Sequence, residues 1–253
     1  MRRFLLFLFA GSLAACASLG LRTQVSPQDL AAIDRIGVVS VMGDRYHSIL
    51  LGLTSLGNQY FGSDVSEWDL DGLAAGSAVE KLTVARSGRA ALLDTGGLRG
   101  AAFHRGGDYR DIDRARLLSL AAAQGFDTLL LIYPAFDEDD PDRAGGYGYR
   151  AGFTIGGVSG CSYVQFIVEV LRVRDGNRLG WSWVRDCDGR DDPGWRGPLE
   201  EYSAEELAGL RARAEAQVRS GVRDRLQWLG LATATQVDGR PSDEPPPGLF
   251  RRD

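Results

Sequence analysis

Serine, cysteine and histidine are the residue types that could carry nucleophilic chemistry in this chain, but their spacing does not indicate a catalytic site. Residues 157–161 read Gly-Val-Ser-Gly-Cys, close to the Gly-x-Ser-x-Gly elbow of serine hydrolases, but with a cysteine in place of the last glycine. His47 and His104 are the only histidines, and neither has a spacing to Ser159 or Cys161 that indicates a triad. We interpret residues 157–161 as a β-turn and predict no catalytic residue.

Carboxylates concentrate in two stretches that could hold a metal ion, residues 137–142 and 186–192. Calcium needs roughly six to eight oxygen ligands from a fixed loop, and neither stretch has the Asp-x-Asp-x-Asp-Gly order with a later glutamate. Histidine and cysteine are too few for a transition metal. We predict solvated acidic loops and no metal site. If a metal ion binds, Asp137, Asp139 and Asp140 are the candidate ligands.

A pair of carboxylates could still hydrolyse peptidoglycan or another glycan, because their spacing is set in space rather than along the sequence. Nothing singles out two of the 34 acidic residues. Trp181 and Trp183 could line a sugar site, although their alternation favours a sheet core. Lys81, the only lysine, is not in a phosphate-binding loop, and residues 145–148 do not connect a predicted strand to a helix. No cofactor is predicted, and a hydrolase of this kind is the alternative function.

The N-terminus has the organisation of a secretory signal. Arg2 and Arg3 precede an apolar run, and small residues lead to Cys16. The ending Leu13-Ala14-Ala15-Cys16 resembles the lipobox of bacterial lipoproteins, in which the signal is removed and the cysteine is acylated. The resemblance implies diacylglycerol and acyl lipid on Cys16, and Ala17 after it implies the outer membrane. Two or more acyl chains anchor a protein stably, at about 0.8 kcal/mol per buried methylene. We expect a periplasmic body tethered to the outer membrane.

Removal of residues 1–15 leaves 238 residues, enough for one domain with a sizeable core. The removal also moves the formal net charge from −5 to −7. An acidic chain without a basic stripe is poorly matched to the phosphates of nucleic acid. We predict a membrane contact through the lipid, a protein partner in the cell envelope and no nucleic acid. Self-association is a third interpretation.

Two cysteines remain beside the acylated one, and an even pair in an oxidising compartment indicates a disulfide. Asp175-Gly176 is a hairpin signal. A two-residue turn there puts Cys187 opposite Val164, about 10 Å of strand away from Cys161, which is too far for a bridge. That register also puts Trp181 and Trp183 on the face of Val164. We expect the Cys161–Cys187 bond nevertheless, because the compartment outweighs an inferred register.

Hydrophobic periodicity, caps and turns predict the remaining elements. The predicted strands are 35–41, with a hairpin partner at 47–53, then 90–94, 128–133, 162–173 and 178–186. The predicted helices are 26–34, a second from 69 or 71 to 85, a third from 111 or 113 to 124, and 203–229. This order indicates one α/β domain over residues 26–231, with a mixed sheet, helices packed mainly on one face and a long C-terminal helix. Residues 16–25 form the lipidated tether, and residues 232–253 form a disordered, proline-rich tail.

Residues 33–132 combine a buried first strand with a helix that leads into Gly-Phe-Asp-Thr-Leu-Leu-Leu-Ile. In element order this segment resembles the small α/β domains of envelope lipoproteins, of the kind found in the curli-secretion lipoprotein and at the N-terminus of TolB. The resemblance implies a protein-interaction module in the periplasm. We therefore predict a non-enzymatic outer-membrane lipoprotein whose body binds another envelope protein.

Overall fold

The computed structural model describes residues 23–86, 89–98, 100–105, 111–136, 144–154, 157–189 and 194–232. These ranges contain α1 (Pro27–Ala32), α2 (Leu70–Ala85), α3 (Arg114–Ala123) and α4 (Ala204–Trp228). They also contain β1 (Ile36–Ser40), β2 (Arg45–Leu51), β3 (Gln59–Asp64), β4 (Ala90–Leu92), β5 (Thr128–Pro134), β6 (Gly146–Thr154), β7 (Gly157–Arg172) and β8 (Arg178–Asp188). Three sets of predictions lie outside the described residues: the signal with Cys16, the tail beyond residue 232, and Asp137, Asp139 and Asp140.

All eight strands belong to one mixed sheet, and β7 organises it. One edge of β7 pairs antiparallel with β6 and then with β5, while its other edge pairs with β8. From β5 the sheet continues in parallel to β1 and then to β4. We call these three strands the first wing. From β6 it continues in parallel to β2 and antiparallel to β3, which together with β6 form the second wing. The long strand β7 therefore joins two separate wings.

Helices α2 and α4 cover one face of the sheet, which we call the helix face, and α3 covers the other face at the first wing. Strand β5 is buried along its whole length because it lies between these layers. Leu130 and Ile132 pack with α2 and α4, while Leu129 and Leu131 pack with α3. The predicted mixed sheet, with helices mainly on one face and a long C-terminal helix, is confirmed.

Local sequence signals set the helix ends. In α4 the Ser203 hydroxyl accepts a hydrogen bond from the Glu206 amide, and the Glu206 carboxylate accepts one from the Ser203 amide. Asp69 caps α2 and Asp113 caps α3 through their side chains. Gly125 follows α3 with φ +75°, a conformation that glycine adopts without a steric cost. The predicted start of α4 and the predicted end of α3 are confirmed, and of the alternatives left open the structure has Asp69 rather than Asp71 and Asp113 rather than Asp111.

The prediction of a hairpin between β1 and β2 is wrong. Strand β2 pairs with β3 and β6, and none of its described pairings is with β1. The chain does not reverse direction between β1 and β2, and the Asp71 carboxylate at the start of α2 holds the connection by accepting hydrogen bonds from the Met42 and Gly43 amides. The sequence analysis also missed β3, which is largely exposed, and β6, for which it predicted no strand.

The predicted register of β7 and β8 is wrong by one residue. Tyr163, not Val164, lies opposite Cys187. The turn holds four residues rather than two, since the Arg172 amide donates to the Asn177 carbonyl, and the register shifts again beside Val170. Both tryptophans of β8 consequently lie on the face opposite to Val164 and are only half-buried. The sequence analysis had predicted that both tryptophans belong to the sheet core on the face of Val164, and this prediction is wrong.

Candidate functional site

A cleft of about 710 Å³ lies on the second wing, on the face away from α2 and α4. We call it the trough cleft, because the backbone at Gly152 of β6 forms part of its floor. Residues 146–152 read Gly-Tyr-Gly-Tyr-Arg-Ala-Gly, and side chains of a strand alternate between faces. Tyr147 and Tyr149 are buried on the helix face, so Arg150 and Gly152 lie on the face of the cleft. At Gly152 the floor of the cleft is therefore backbone without a side chain.

Side chains of the neighbouring strands form the walls of the trough cleft. Ile49 and Leu51 come from β2, and Tyr163 comes from β7. The Tyr163 ring lies over Gly148, where an added Cβ would come within 2.8 Å of it. At Gly152, by contrast, an added Cβ would meet nothing nearer than 3.9 Å. The trough is thus filled at one end and open at the Gly152 end.

Two arginines border the trough cleft. Arg150 on β6 lies opposite Cys161, and Arg185 on β8 lies opposite Gln165, so the pair flanks Tyr163. The Arg185 guanidinium is 4.9 Å from the centre of the Trp183 ring. Both arginines are half-buried. The cleft therefore combines apolar walls with positive charge.

The structure contains a disulfide between Cys161 and Cys187, with the Cα atoms 5.5 Å apart. The observed register explains how the bond forms. Cys187 lies opposite Tyr163, two residues from Cys161, so the two cysteines are diagonal neighbours across adjacent strands. The geometric objection raised by the predicted register disappears with its correction. The bond also lines the trough cleft.

Four exposed apolar side chains lie at one end of the second wing, and we call them the tip patch. Leu53 and Leu56 follow β2 and are 86% and 97% exposed. Phe153 and Val158 face each other across β6 and β7 and are 48% and 46% exposed. Strands β2 and β6 both reach this end of the sheet, because they are parallel neighbours in register. Phe153 follows Tyr147, Tyr149 and Ala151 in the alternation of β6, so its side chain lies on the helix face, on the side of the sheet opposite to the trough cleft.

A second cleft, of about 410 Å³, lies where β1 and β4 end and α2 begins. Open parallel sheets commonly bind ligands at this position, and Asp44, Asp69 and Asp71 line it. Asp71, however, accepts hydrogen bonds from the Ser40 hydroxyl and from the Met42 and Gly43 amides. Burial raises the pKa of Asp71 to about 6, against the lowering effect of these hydrogen bonds. The carboxylate is engaged in holding the β1–β2 connection.

The residues considered for nucleophilic catalysis are not arranged for it. Ser159 lies within β7, so the predicted β-turn at residues 157–161 is wrong and no strand-to-helix elbow is present there. The His104 Nε2 atom donates a hydrogen bond to the Val41 carbonyl oxygen at 2.7 Å. Burial, with the nearby charge of Arg45, lowers the pKa of His47 to about 4. His47 is therefore neutral near pH 7.

A buried glutamate on the face of the sheet covered by α3 forms ion pairs that connect β7 with α3 and β8. The Glu169 side chain on β7 is 1% exposed, and its oxygens lie 3.1 Å from Arg114 Nε of α3 and 2.6 Å from Arg178 Nε of β8. Burial and the Glu169 charge raise the pKa of neighbouring Tyr133 to about 12. The sequence pattern gave no sign of this network, since Glu169 alternates like an exposed residue of a half-covered strand.

The titrations of Asp71 and His47 are expected to change the free energy of unfolding in opposite directions as the pH falls. The pKa of Asp71 is raised from 3.8 to about 6 on folding, so the folded state holds its proton more tightly and stability falls as pH rises from 4 to 6. The pKa of His47 is lowered from 6.5 to about 4, so stability is lost as pH falls from 6.5 to 4. Each effect is worth at most about 3 kcal/mol.

Asp71→Asn should therefore lose more stability than the wild type as the pH falls from 6.5 to 4, because only the His47 effect remains. His47→Gln should instead gain stability over this range relative to the wild type, because only the Asp71 effect remains. Urea unfolding at several pH values between 4 and 7 measures the difference. Curves for both variants that run parallel to the wild-type curve would show that neither group titrates as the structure indicates.

Among the described residues no group of three or more histidine, cysteine, aspartate or glutamate side chains could hold a metal ion. No helix within these ranges is long and apolar enough to cross a membrane.

No protein-family model matches the chain, and no curated protein does. Among solved structures, the PelC dodecamer from Paraburkholderia phytofirmans is similar at 14% identity, covering 83% of this chain and 94% of that one, with a TM-score of 0.37. A Xanthomonas campestris protein of the DUF330 family is similar at 10% identity, covering 83% and 92%, with a TM-score of 0.40. Values this low do not extend the function of either protein to this chain.

Proposed function

We propose that this chain is a non-enzymatic lipoprotein of the outer membrane, anchored through acylated Cys16, whose body binds another envelope protein through the tip patch. The observation that carries the proposal is the clustering of exposed apolar side chains at one end of the second wing. Single exposed apolar residues are common on protein surfaces, whereas clusters are typical of interfaces.

The energetics favour a binding role for this patch. Burial of apolar surface gains about 25 cal/mol per Å², and Leu53 and Leu56 are almost fully exposed in the free body. Their connection joins two strands at the edge of the sheet, where a partner can approach without displacing the core. In protein interfaces a few well-packed residues carry most of the binding energy.

The position of the tether is consistent with a body held close to the membrane. The Thr23 backbone pairs with Trp181 at the outer edge of β8. Thr23 lies seven residues after Cys16, a length of chain that spans at most about 25 Å. A partner in the membrane or just beneath it is therefore within reach of the body.

The hydrolase alternative requires two free carboxylates in a cleft, one with a raised pKa. The second cleft meets this requirement in part, because the pKa of Asp71 is raised to about 6 and Asp44 is nearby. Both oxygens of Asp71 nevertheless accept hydrogen bonds from the chain itself, so that the carboxylate is already committed. We favour the binding role for this reason.

Site-specific photocrosslinking in the native host tests the proposal. A photoreactive residue at Leu56 or Phe153 should give a discrete adduct with one envelope protein, whereas the same residue at Val84, which is 82% exposed on α2, should not. The intact mass of the captured chain should show acylated Cys16. Equal labelling from Val84, or an unmodified N-terminus beyond Cys16, would contradict the proposal, and an adduct of twice the chain mass would indicate self-association instead.

A further inference from the structure

We propose that residues 17–22 of the tether pair with the outer edge of β8 as a ninth strand, and that this pairing carries Cys16 to the end of the sheet where the tip patch lies. The inference deepens the proposed function, because it puts the lipid anchor and the binding surface at one end of the body. It rests on that function only for the acylation of Cys16. The pairing itself needs no lipid.

The first described residues fix the direction in which the tether leaves the body. Thr23 and Trp181 form an antiparallel bridge, in which the backbone amide of each residue donates to the carbonyl of the other. Two residues later, Val25 is buried in the core, and it lies against Gly180, where an added Cβ would come within 2.8 Å of the Val25 side chain. Because the bridge is antiparallel, the residues before Thr23 lead towards the end of β8.

The outer edge of β8 offers backbone groups for a longer ladder. In an antiparallel ladder every second residue directs its amide and carbonyl to the same neighbouring strand. Trp181 directs these groups to Thr23, away from β7, so Trp183 and Cys187 direct theirs to the same side. Between described residues, the bridge at Thr23 is the only strand pairing on this edge. Native proteins commonly cover a long sheet edge, because its backbone groups otherwise recruit other chains.

The sequence of the tether has the alternation of a half-covered strand. Residues 18–22 read Ser-Leu-Gly-Leu-Arg, so that apolar and polar or small side chains alternate. Extension of the bridge register by two residues puts Leu21 opposite Trp183, and Leu19 follows on the same face. The Trp183 side chain is only half-buried in the body. Burial of apolar surface between such cross-strand neighbours stabilises a sheet.

The length of the tether equals what remains of β8. Seven residues separate Cys16 from Thr23, and seven separate Trp181 from Asp188, at which β8 ends. The same register therefore puts Cys16 opposite Asp188, so that the added strand and β8 end together. The whole outer edge beyond the bridge would then be covered by the chain's own tether.

This end of β8 lies towards the tip patch. Asp188 pairs with Ser162 of β7, and Val158 of the tip patch is four residues from Ser162 along the same strand, about 13 Å away. The acyl chains on Cys16 would thus leave the body on the side of the tip patch. It follows that the partner bound by the tip patch lies at or in the outer membrane.

Photocrosslinking within one chain tests the register. The experiment uses the mature chain from residue 16 onward with Cys16→Ser, exported behind a cleavable signal peptide, so that neither lipid nor partner is needed. A photoreactive residue in place of Leu21 should give an adduct of single-chain mass at Trp183 or its immediate neighbours. The same residue in place of Ala17 should give its adduct at or beside Cys187. The adduct should therefore move towards the end of β8 as the probe moves towards the N-terminus.

Two proline variants form a matched pair that tests the hydrogen bonds. In the proposed register the Leu21 amide faces β8, whereas the Gly20 amide faces away from it. Proline has no amide hydrogen, so Leu21→Pro should break the pairing and Gly20→Pro should be tolerated at an outer edge. Hydrogen–deuterium exchange at the Trp183 amide should be at least about tenfold faster in Leu21→Pro than in the wild type, and close to the wild-type rate in Gly20→Pro. Thermal unfolding shows whether each variant is folded.

Three results would overturn the proposal. The first is a set of adducts from Leu21 that is scattered over the body or absent from β8. The second is an adduct that stays in place, or moves the opposite way, when the probe moves from Leu21 to Ala17. The third is an equal exchange rate of the Trp183 amide in the wild type and in folded Leu21→Pro.

Failure of this inference and failure of the proposed function are distinguishable. Absence of the tether strand, with a discrete Leu56 adduct to an envelope protein in the host, would overturn the inference alone. An intact tether strand without any Leu56 adduct would overturn the proposed function alone. Capture at Leu56 of a protein that is soluble in the periplasm would contradict the placement of the tip patch at the membrane.

Discussion

Replacement of both Arg114 and Arg178 by methionine is expected to lower the free energy of unfolding by about 3–5 kcal/mol. The double change leaves the Glu169 carboxylate, which is 1% exposed, without either of its cationic partners. A buried charge that loses its partners keeps the cost of its desolvation and loses the attraction that offset it. Urea unfolding at neutral pH measures the change.

The converse substitution, Glu169→Gln, should cost less, about 1–2 kcal/mol. The two arginine side chains are 38% and 50% exposed, so water solvates them when the carboxylate is absent. Arg211→Met with Arg219→Met is the matched control, because the same kinds of ion pair to Glu215 lie on the exposed side of α4 and are worth less than about 1 kcal/mol. Equal losses in all three variants would show that the burial of Glu169 is irrelevant to its role.

Removal of the disulfide, by Cys161→Ala with Cys187→Ala, is expected to lower the free energy of unfolding by about 3.5 kcal/mol. The bond closes a loop with a sequence separation of 26 residues, and its loss restores the conformational freedom of that loop in the unfolded chain. Chemical unfolding of the wild type with and without a thiol reductant should reproduce the difference.

The double alanine variant should itself be insensitive to the reductant, which separates loss of the bond from other effects of the reagent. The β7–β8 hairpin has further support from the α4 side, where Val184 packs against Gly221. We therefore expect the variant to fold. Free thiols at both positions in the purified wild type, with no effect of reductant on its unfolding, would contradict the bond and the oxidising compartment together.

Elements with a local cause could be predicted from the sequence. The capping box at Ser203 and the caps at Asp69 and Asp113 satisfy amides within one helical turn, so the residues that cause each boundary are neighbours in the chain. The uninterrupted apolar run of β5 likewise predicts a strand buried on both faces, as observed. The fold class followed from the order of these elements.

The pairing of strands was harder, because it depends on contacts that are distant in sequence. The predicted β1–β2 hairpin failed because β2 pairs instead with β3 and β6, and the connection is held by Asp71, which is distant in sequence. The register of β7 and β8 failed because the turn holds two more residues than predicted and the pairing shifts back by one beside Val170. A shift of one residue moves every side chain to the other face, which is why the tryptophans and the cysteines changed their surroundings together.

The candidate site was invisible for the same reason. The glycines of β6 indicate a loop when they are taken alone, and they form a trough only because β2 and β7 flank them on both sides.

The anchor prediction at Cys16 stands on the sequence alone, since that residue lies outside the described ranges. The sequence by itself determined the helix boundaries, the buried strand and the fold class, because these arise from hydrogen bonds and periodicity within a few residues. Only the tertiary structure decided the register, the clefts and the tip patch, because each depends on which distant strands become neighbours.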